Sequence, residues 1–364
     1  MIYRAIGLMS GSSLDGLDIA FVNLHENAGK WSFDIVHTDC YAYTREWKNK
    51  LQSSVELNAL DYLLLDAEYG HYTGSLVNEF ISKYQLQYKV QLIASHGHTT
   101  FHLPSKKMTA QLGNGAAIAA ETGIPVVNNL RALDVAFGGQ GAPIVPVGDK
   151  LLFAEYNYCL NIGGIANISS IRYSEYISFD ICPANRVLNM LAEKVGKDYD
   201  DSGNTARSGT IKPDLLQKLN ALDYYTRAYP KSLANSFGTD IVYPILASSG
   251  YTAKDLLATY VEHVAAQIKD AVEKISDAGS AEKKLLATGG GALNTFLTER
   301  LQSHLSALNI TVVVPEQKVV LYKEALIMAL IGVLRWREEN NVMASVTGAL
   351  RNSINGAVWM GAEA

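Results

Sequence analysis

Three short stretches of this 364-residue chain set glycine and small polar residues where the backbone must turn. The first is GLMSGSSLDGLDIAFVNL, from Gly7 through Met9 to Leu24. Its turn carries Gly11 and Gly16, hydroxyls on Ser10, Ser12 and Ser13, and carboxylates on Asp15 and Asp18. Hydroxyls donate hydrogen bonds, glycine accepts unusual backbone angles, and the N–H groups of such turns form anion-binding concavities. Asp15 and Asp18 suit Mg²⁺, held directly or through water, because that ion accepts few protein ligands. The chemistry is polyphosphate binding; the plainer alternative is a serine-rich turn with capping aspartates.

The second stretch, NIGGIANIS, places Gly163 and Gly164 directly after a buried strand, with Asn167 as the next polar side chain. The third, ATGGGALN, runs from a buried strand through Gly289, Gly290 and Gly291 into a helix expected from about Ala292. Glycines there let an adenine or ribose lie against the backbone at a helix N-terminus. Neither stretch has the spacing of a dinucleotide-binding fingerprint or a P-loop.

The elements that position these turns are strands and helices in alternation, which indicates α/β architecture. Strands are expected at residues 3–8, 17–24 and 31–40, followed by helices near 45–55 and 59–84. VQLIASHGHT reads as a buried strand ending in a loop at His96–Thr99, and GNGAAIAAETG as a helix stopped by Gly123. Later helices are expected near 183–195, 213–222, 253–275 and 321–338. The glycine- and proline-rich segment 138–146 reads as a crossing between domains. The expected division is 1–137 plus about 340–364 against 138–339. The two strand–turn–strand stretches are an echo between the halves, each offering a tip that a ligand can approach closely.

Bulk properties exclude several classes. A net charge of −5 gives no electrostatic reason to expect nucleic acid or an anionic membrane surface. Cys40, Cys159 and Cys182 lie far apart, which argues against a disulfide framework or structural zinc and for a reducing compartment. No secretory signal is read at the start of the chain. The longest apolar run, Ala325 to Leu334, is far shorter than the roughly 20 residues of a membrane span, so a cytoplasmic protein is expected.

Together the stretches resemble the anhydro-N-acetylmuramic acid kinase family, within the actin-like (ribonuclease H-like) superfamily of kinases. The resemblance runs from end to end through GLMSGSSLDGLD, SHGHTTFH, GGQGAPIVP, NIGGIANIS, FDICPAN, PKS, GGGALN and SVTGA. It implies two actin-like α/β domains with mixed sheets and an interdomain active-site cleft, a homodimer, ATP and Mg²⁺ as cofactors, and an amino sugar as substrate. The implied reaction opens the 1,6-anhydro ring of N-acetylmuramic acid with water and phosphorylates O6, as in cell-wall recycling. Asp180 matches the family's catalytic aspartate, the base that activates the water; taken alone it reads as a helix-entry cap. His96, Gly97, Arg131, Asp134, Asn185 and Glu324 match residues near the sugar. Alone, Arg131 and Asp134 read as a surface ion pair, and Glu324 as a first-turn glutamate.

Departures from the family pattern cluster near Asp180. Ile181, Cys182 and Ala184 stand in a segment that in the family reads Thr-Gly-Pro-Gly, and Asn235 and Ser236 replace an arginine and a glutamate. A lost arginine weakens a grip on carboxylate or phosphate. Two alternatives therefore stand beside the family reaction. One is a related kinase with a different sugar acceptor; the other is a catalytically weak sensor of nucleotide and sugar.

Overall fold

The computed structural model describes residues 1–11, 13–276 and 281–361. Ser12, one of the expected phosphate-turn hydroxyls, lies outside the described residues. The chain forms two compact units, Met1–Leu152 with Tyr322–Ala364, and Phe153–Leu321.

The first unit opens with β1 (Ile2–Ser10), β2 (Gly16–Asn27) and β3 (Lys30–Ala42), then α1 (Arg45–Ser53) and α2 (Ala59–Lys83). It continues through β4 (Leu92–Ser95), β5 (His98–Leu103), β6 (Met108–Leu112), α3 (Gly115–Thr122), β7 (Val126–Asn128), α4 (Ala132–Ala136) and α5 (Pro146–Leu152). The second unit contains β8 (Tyr158–Ile162), β9 (Ile165–Arg172), β10 (Glu175–Pro183), α6 (Asn185–Glu193), α7 (Asn204–Arg207) and α8 (Pro213–Asn220). It ends with α9 (Tyr243–Ala247), α10 (Ala253–Ile275), β11 (Lys283–Thr288), α11 (Thr295–Leu305) and β12 (Ile310–Val313). The chain then returns along α12 (Gln317–Trp336) to α13 (Ala344–Thr347) and β13 (Ala357–Trp359).

Both main sheets are mixed and share a pattern. The first has the order β13-β7-β4-β1-β2-β3, the second β10-β9-β8-β11-β12. In each, the opening strand pairs antiparallel with its successor and parallel with a strand that follows a helical segment. The two glycine turns at Ser10–Gly16 and Gly163–Gly164 are thus equivalent first-hairpin tips, as the sequence echo suggested. Each unit has its own apolar core, around Ile6, Ile19, Phe80 and Ile118 in the first and around Leu160, Tyr260, Leu285 and Leu301 in the second. The α/β expectation holds.

Residues 325–334 of α12 are buried throughout, so the apolar run is a core helix. Among the described residues no helix is long and apolar enough to cross a membrane. Helix α12 packs on β1 because Gly7 has no side chain: a Cβ there would collide with the carbonyl of Ala325. Gly7, expected among the nucleotide-binding residues, is instead explained by close packing.

Several boundaries differ from expectation. The segment 138–146 stays in the first unit because Gly139 and Gly141 donate backbone hydrogen bonds to Asp134, and Gln140 to Thr347. Helix α5 stays there too: Asp149 pairs with Lys323 of α12 at 2.7 Å, and both side chains are buried. The division therefore falls after Leu152 and Leu321, rather than near 137 and 339. His98 opens a β5–β6 hairpin where a loop was expected. Pro183 ends β10, so α6 starts later, at Asn185. Helix α11 starts at Thr295, capped by the Asn294 side chain on the Leu297 N–H at 3.0 Å, after a single 3₁₀ turn at Gly290–Leu293.

The packing yields a paired prediction. Gly7→Ala drives a methyl into the α12 backbone and should cost about 3 kcal/mol or more in chemical denaturation. At Gly164 a new Cβ meets nothing nearer than 3.8 Å, so Gly164→Ala should leave the unfolding midpoint unchanged.

Candidate active-site residues

At the first hairpin tip the expected donors separate into two groups. Ser10 is buried, and its Oγ accepts from Tyr43 at 2.8 Å and lies 3.0 Å from His98 Nδ1. Its hydroxyl therefore belongs to a buried network, a correction to its reading as a phosphate donor. Met9 sits opposite Asp18 in the β1–β2 ladder, and a Cβ on Gly16 would lie 2.5 Å from the Tyr41 carbonyl of β3. Gly11 and the exposed Ser13 form the open part of the turn, with Leu14 donating to the Gly11 carbonyl at 3.3 Å.

Asp18 is half-buried, opposite Cys40 of β3. Burial raises its carboxyl above the ordinary value, the Cys40 thiol opposes this by hydrogen bonding, and nearby Asp15 raises it further. Asp15 and Asp18 are neighbouring carboxylates, neither in an ion pair among the described residues, and hard oxygen donors of this kind are the type Mg²⁺ takes.

A second group in the first unit centres on Arg131. Its Nε donates to His96 Nε2 at 2.9 Å, and its Nη1 donates to the Gly141 carbonyl. His96 Nδ1 lies 2.8 Å from the Gly97 carbonyl and donates to it, leaving Nε2 as the acceptor for arginine. Burial first, and the neighbouring guanidinium second, lower the His96 pKa to about 3, so the ring is neutral. Gly97 has φ +72°, and a Cβ there would run into the Leu112 carbonyl; its place next to His96 is structural. Burial lowers the Arg131 pKa to about 10, against the opposing effects of Glu324 and Asp134.

Asp134 differs from expectation. It is completely buried, with Oδ1 accepting from Thr347 at 2.7 Å and Oδ2 from the Gly141 N–H at 2.8 Å. Each oxygen accepts a hydrogen bond from the protein itself. Asp134 fixes Gly141, whose carbonyl in turn holds Arg131. Glu324 lies two turns into α12, away from the first turn, and is half-buried. Burial raises its carboxyl pKa, Lys323 and Arg131 lower it, and Asp18 raises it. Its carboxylate accepts no hydrogen bond among the described residues. Arg131, Glu324 and Asp18 thus share one electrostatic neighbourhood.

In the second unit Asp180 lies on β10 at a bulge, directly opposite Asn167 of β9, which is opposite Asn161 of β8. Directly opposed residues share a sheet face, so the three form a polar row. Asp180 caps no helix. Its Oδ2 accepts from the Leu233 N–H at 2.8 Å, its own N–H donates to the Lys231 carbonyl at 3.3 Å, and Tyr224 donates to its carbonyl at 2.8 Å. Oδ1 accepts nothing among the described residues. Burial raises the carboxyl pKa, opposed by the Leu233 hydrogen bond. The result is a more basic carboxylate with one oxygen tethered and one open.

The glycine turns of the second unit adjoin this row. Asn185 donates its backbone N–H to the Gly163 carbonyl at 3.0 Å and its side chain to the Ile162 carbonyl at 3.0 Å, binding α6 to the hairpin tip. Gly289 has φ +79°, and a Cβ there would lie 2.5 Å from Asn161 Oδ1; Gly291 is crowded by Ile162 and Asn185. At Gly163, Gly164 and Gly290 nothing comes within 3.5 Å of a would-be Cβ and φ lies outside the left-handed region. Among the described residues no neighbour demands glycine at these three.

Asn161 and the Lys231–Leu233 segment were not read from the sequence as site residues. The hairpin register would have given Asn161, which mirrors Asn167 across the Gly163–Gly164 turn. The tether from Leu233 is a backbone contact and has no residue-type signal. The departures at Cys182 and Ala184 point inward: both are completely buried in the second core.

The neutral His96 gives a pH prediction. Its pKa falls from 6.5 unfolded to about 3 folded, so the unfolded chain binds the proton first. Its contribution to stability is complete above pH 6.5 and is lost as pH falls toward about 3. Denaturation midpoints measured from pH 7 to 4 should fall more steeply for the parent than for His96→Gln. Asp134→Ala, which strands two buried donors, should cost about 2–4 kcal/mol at pH 7.

Residues 3–361 match the family model for anhydro-N-acetylmuramic acid kinase. The curated anhydro-N-acetylmuramic acid kinase of Aliivibrio fischeri is 37% identical over 314 residues, 83% of this chain and 84% of that protein. That of Hydrogenovibrio crunogenus is 32% identical over 371 residues, 97% of each chain. Among solved structures, the ADPNP-bound activator of 2-hydroxyisocaproyl-CoA dehydratase from Clostridium difficile aligns over 92% of this chain and 96% of its own, at 14% identity and a TM-score of 0.47. With a family match over nearly its whole length, the chain belongs to the anhydro-N-acetylmuramic acid kinase family.

Proposed function

We propose that the protein is an ATP-dependent kinase that hydrolyses the anhydro bridge of 1,6-anhydro-N-acetylmuramic acid and phosphorylates O6. The observation that carries this reading is Asp180, a carboxylate with raised basicity, one oxygen tethered by Leu233 and one open to a water. In this reading Oδ1 of Asp180 takes a proton from water as the water oxygen bonds to the anomeric carbon. The bond from that carbon to O6 breaks, and O6 leaves with the electron pair. O6 then bonds to the γ-phosphorus of ATP, and the bond from that phosphorus to the β-bridging oxygen breaks, releasing ADP. One water is consumed and one proton is released.

The protein's other contributions are positional and electrostatic, as phosphoryl transfer requires. The open glycines Gly163, Gly164 and Gly290 admit phosphate and nucleoside against the backbone, and Gly11 and Ser13 offer the first-unit counterpart. Asp15 and Asp18 would hold Mg²⁺, directly or through water, and the bound ion neutralises phosphate charge. Arg131 is held by His96 and Gly141 with Nη2 unassigned, which suits a carboxylate or hydroxyl of the sugar. Glu324, without a hydrogen-bond partner among the described residues, accepts from a sugar hydroxyl. Burial of Cys182 and Ala184 in the second core supports retention of the family's substrate, because both departures are absorbed by packing. A homodimer and a cytoplasmic location complete the reading by family membership alone.

The test is an ADP-release assay with the anhydro sugar, ATP and Mg²⁺. The parent should turn over, and Asp180→Asn should lose at least about 10³-fold in kcat with nucleotide affinity unchanged, since an amide cannot accept the proton. Parent activity should fall as pH drops through a midpoint above the ordinary aspartate value of 3.8. ADP formed only with another amino sugar would replace the substrate assignment. Tight binding of ATP and sugar with no turnover would replace the enzyme with a sensor.

A further inference from the structure

A cavity of about 300 Å³ in the second unit is lined by none of the residues assigned above to sugar, nucleotide or metal. Its apolar wall includes Phe179 and Ile181, the two neighbours of Asp180 in β10, while Asp180 itself does not line it. It therefore opens on the other face of that edge strand. Four cationic side chains line it: Arg172, Arg227, Lys231 and Lys274. Arg172 donates to the Tyr229 hydroxyl at 3.1 Å, Lys231 to the Tyr224 carbonyl at 3.4 Å, and Lys274 to the Tyr225 carbonyl at 2.9 Å. Arg227 stands 5.9 Å from the centre of the Tyr224 ring.

Among the described residues none of the four is paired with a carboxylate. The cavity's single acid, Asp270, lies 3.7 Å from Lys269, which is not part of the lining. The lining carries four cations against the single acid Asp270, with Arg172 and Lys231 half-buried and Arg227 and Lys274 exposed at the rim, and this net positive charge favours an anion. Burial lowers the Lys231 pKa, and Lys274 and Arg227 add to the lowering.

We propose that this cavity binds a small organic dianion, a phosphate monoester or a dicarboxylate with an apolar or ring-shaped body. The guanidinium and ammonium groups match two negative charges, and Phe179, stacked on Tyr229 at 5.6 Å, supplies a flat wall for the body. The site is linked to Asp180 through Lys231. Lys231 lines the cavity, its carbonyl accepts the Asp180 N–H, and two residues later Leu233 tethers the Asp180 carboxylate. An anion that grips Lys231 thereby steadies the segment that positions Asp180. This second part rests on the catalytic reading of Asp180; the binding site does not.

Isothermal titration of the full chain, with saturating ADP and Mg²⁺ to fill the nucleotide site, would use phenyl phosphate and phthalate as probes. One of them should bind saturably, and which one tells phosphate monoester from dicarboxylate. The double variant Arg227→Gln/Lys274→Gln should weaken that binding about tenfold or more. Asp270→Asn, at a half-exposed position, should fold normally and tighten it about two- to threefold by removing a like charge. No saturable binding of either probe, or affinity unchanged in both variants, would overturn the site. In turnover assays at saturating ATP and sugar the probe should change kcat at least twofold; an unchanged kcat with intact binding would overturn the link. Absence of any turnover without probe would count against the kinase reading and leave the binding result standing.

Discussion

Asp18, Arg131, Asp134, Asp180 and Glu324 are all partly or wholly withdrawn from water, and much of the surrounding architecture follows from what that costs. An unpaired buried charge is destabilising by several kcal/mol unless hydrogen bonds or opposite charge compensate it. Asp134 is compensated completely, by Thr347 and Gly141, and acts as an anchor. Arg131 is compensated by the neutral His96 and a carbonyl, so it keeps donors to spare. Asp180 is compensated on one oxygen only. The degree of compensation separates positioning residues from those left able to act.

The same logic explains how distant parts of the chain are recruited. Thr347 returns from near the C-terminus to hold Asp134, Gly141 comes from the glycine-rich segment, and the Lys231–Leu233 segment folds over the edge strand to hold Asp180. In both units these contacts are made mainly by backbone groups. The Leu233 tether is made by backbone and does not depend on a side chain, which fits the changes at Asn235 and Ser236 beside it.

The α/β class, the two first hairpins, the helix stop at Gly123 and the apolar α12 were legible because they rest on local periodicity and turn chemistry. Gly123 does take φ +66° and donates to the Ala119 carbonyl. Packing was not legible. Gly7 looked like part of a phosphate turn, yet its glycine is required by the carbonyl of Ala325, more than 300 positions away. Ser10 and Asp134 read as ligand groups, since nothing local reveals that Tyr43, His98 and Thr347 occupy them. The domain division was misplaced for the same reason: glycine and proline at 138–146 suggested a crossing, whereas the Asp134 hydrogen bonds and the Asp149–Lys323 pair hold that region in the first unit.

The account stands or falls on whether the oxygen delivered to the anomeric carbon comes from a water activated by Asp180. The direct measurement is a single-turnover reaction with 1,6-anhydro-N-acetylmuramic acid, ATP and Mg²⁺ in ¹⁸O-labelled water, quenched early and read by mass spectrometry against preformed product in the same water. The account predicts a sugar 6-phosphate labelled on the anomeric oxygen and unlabelled in its phosphate. A product whose anomeric oxygen is unlabelled would contradict it, because the bridge would then have opened without water reaching that carbon.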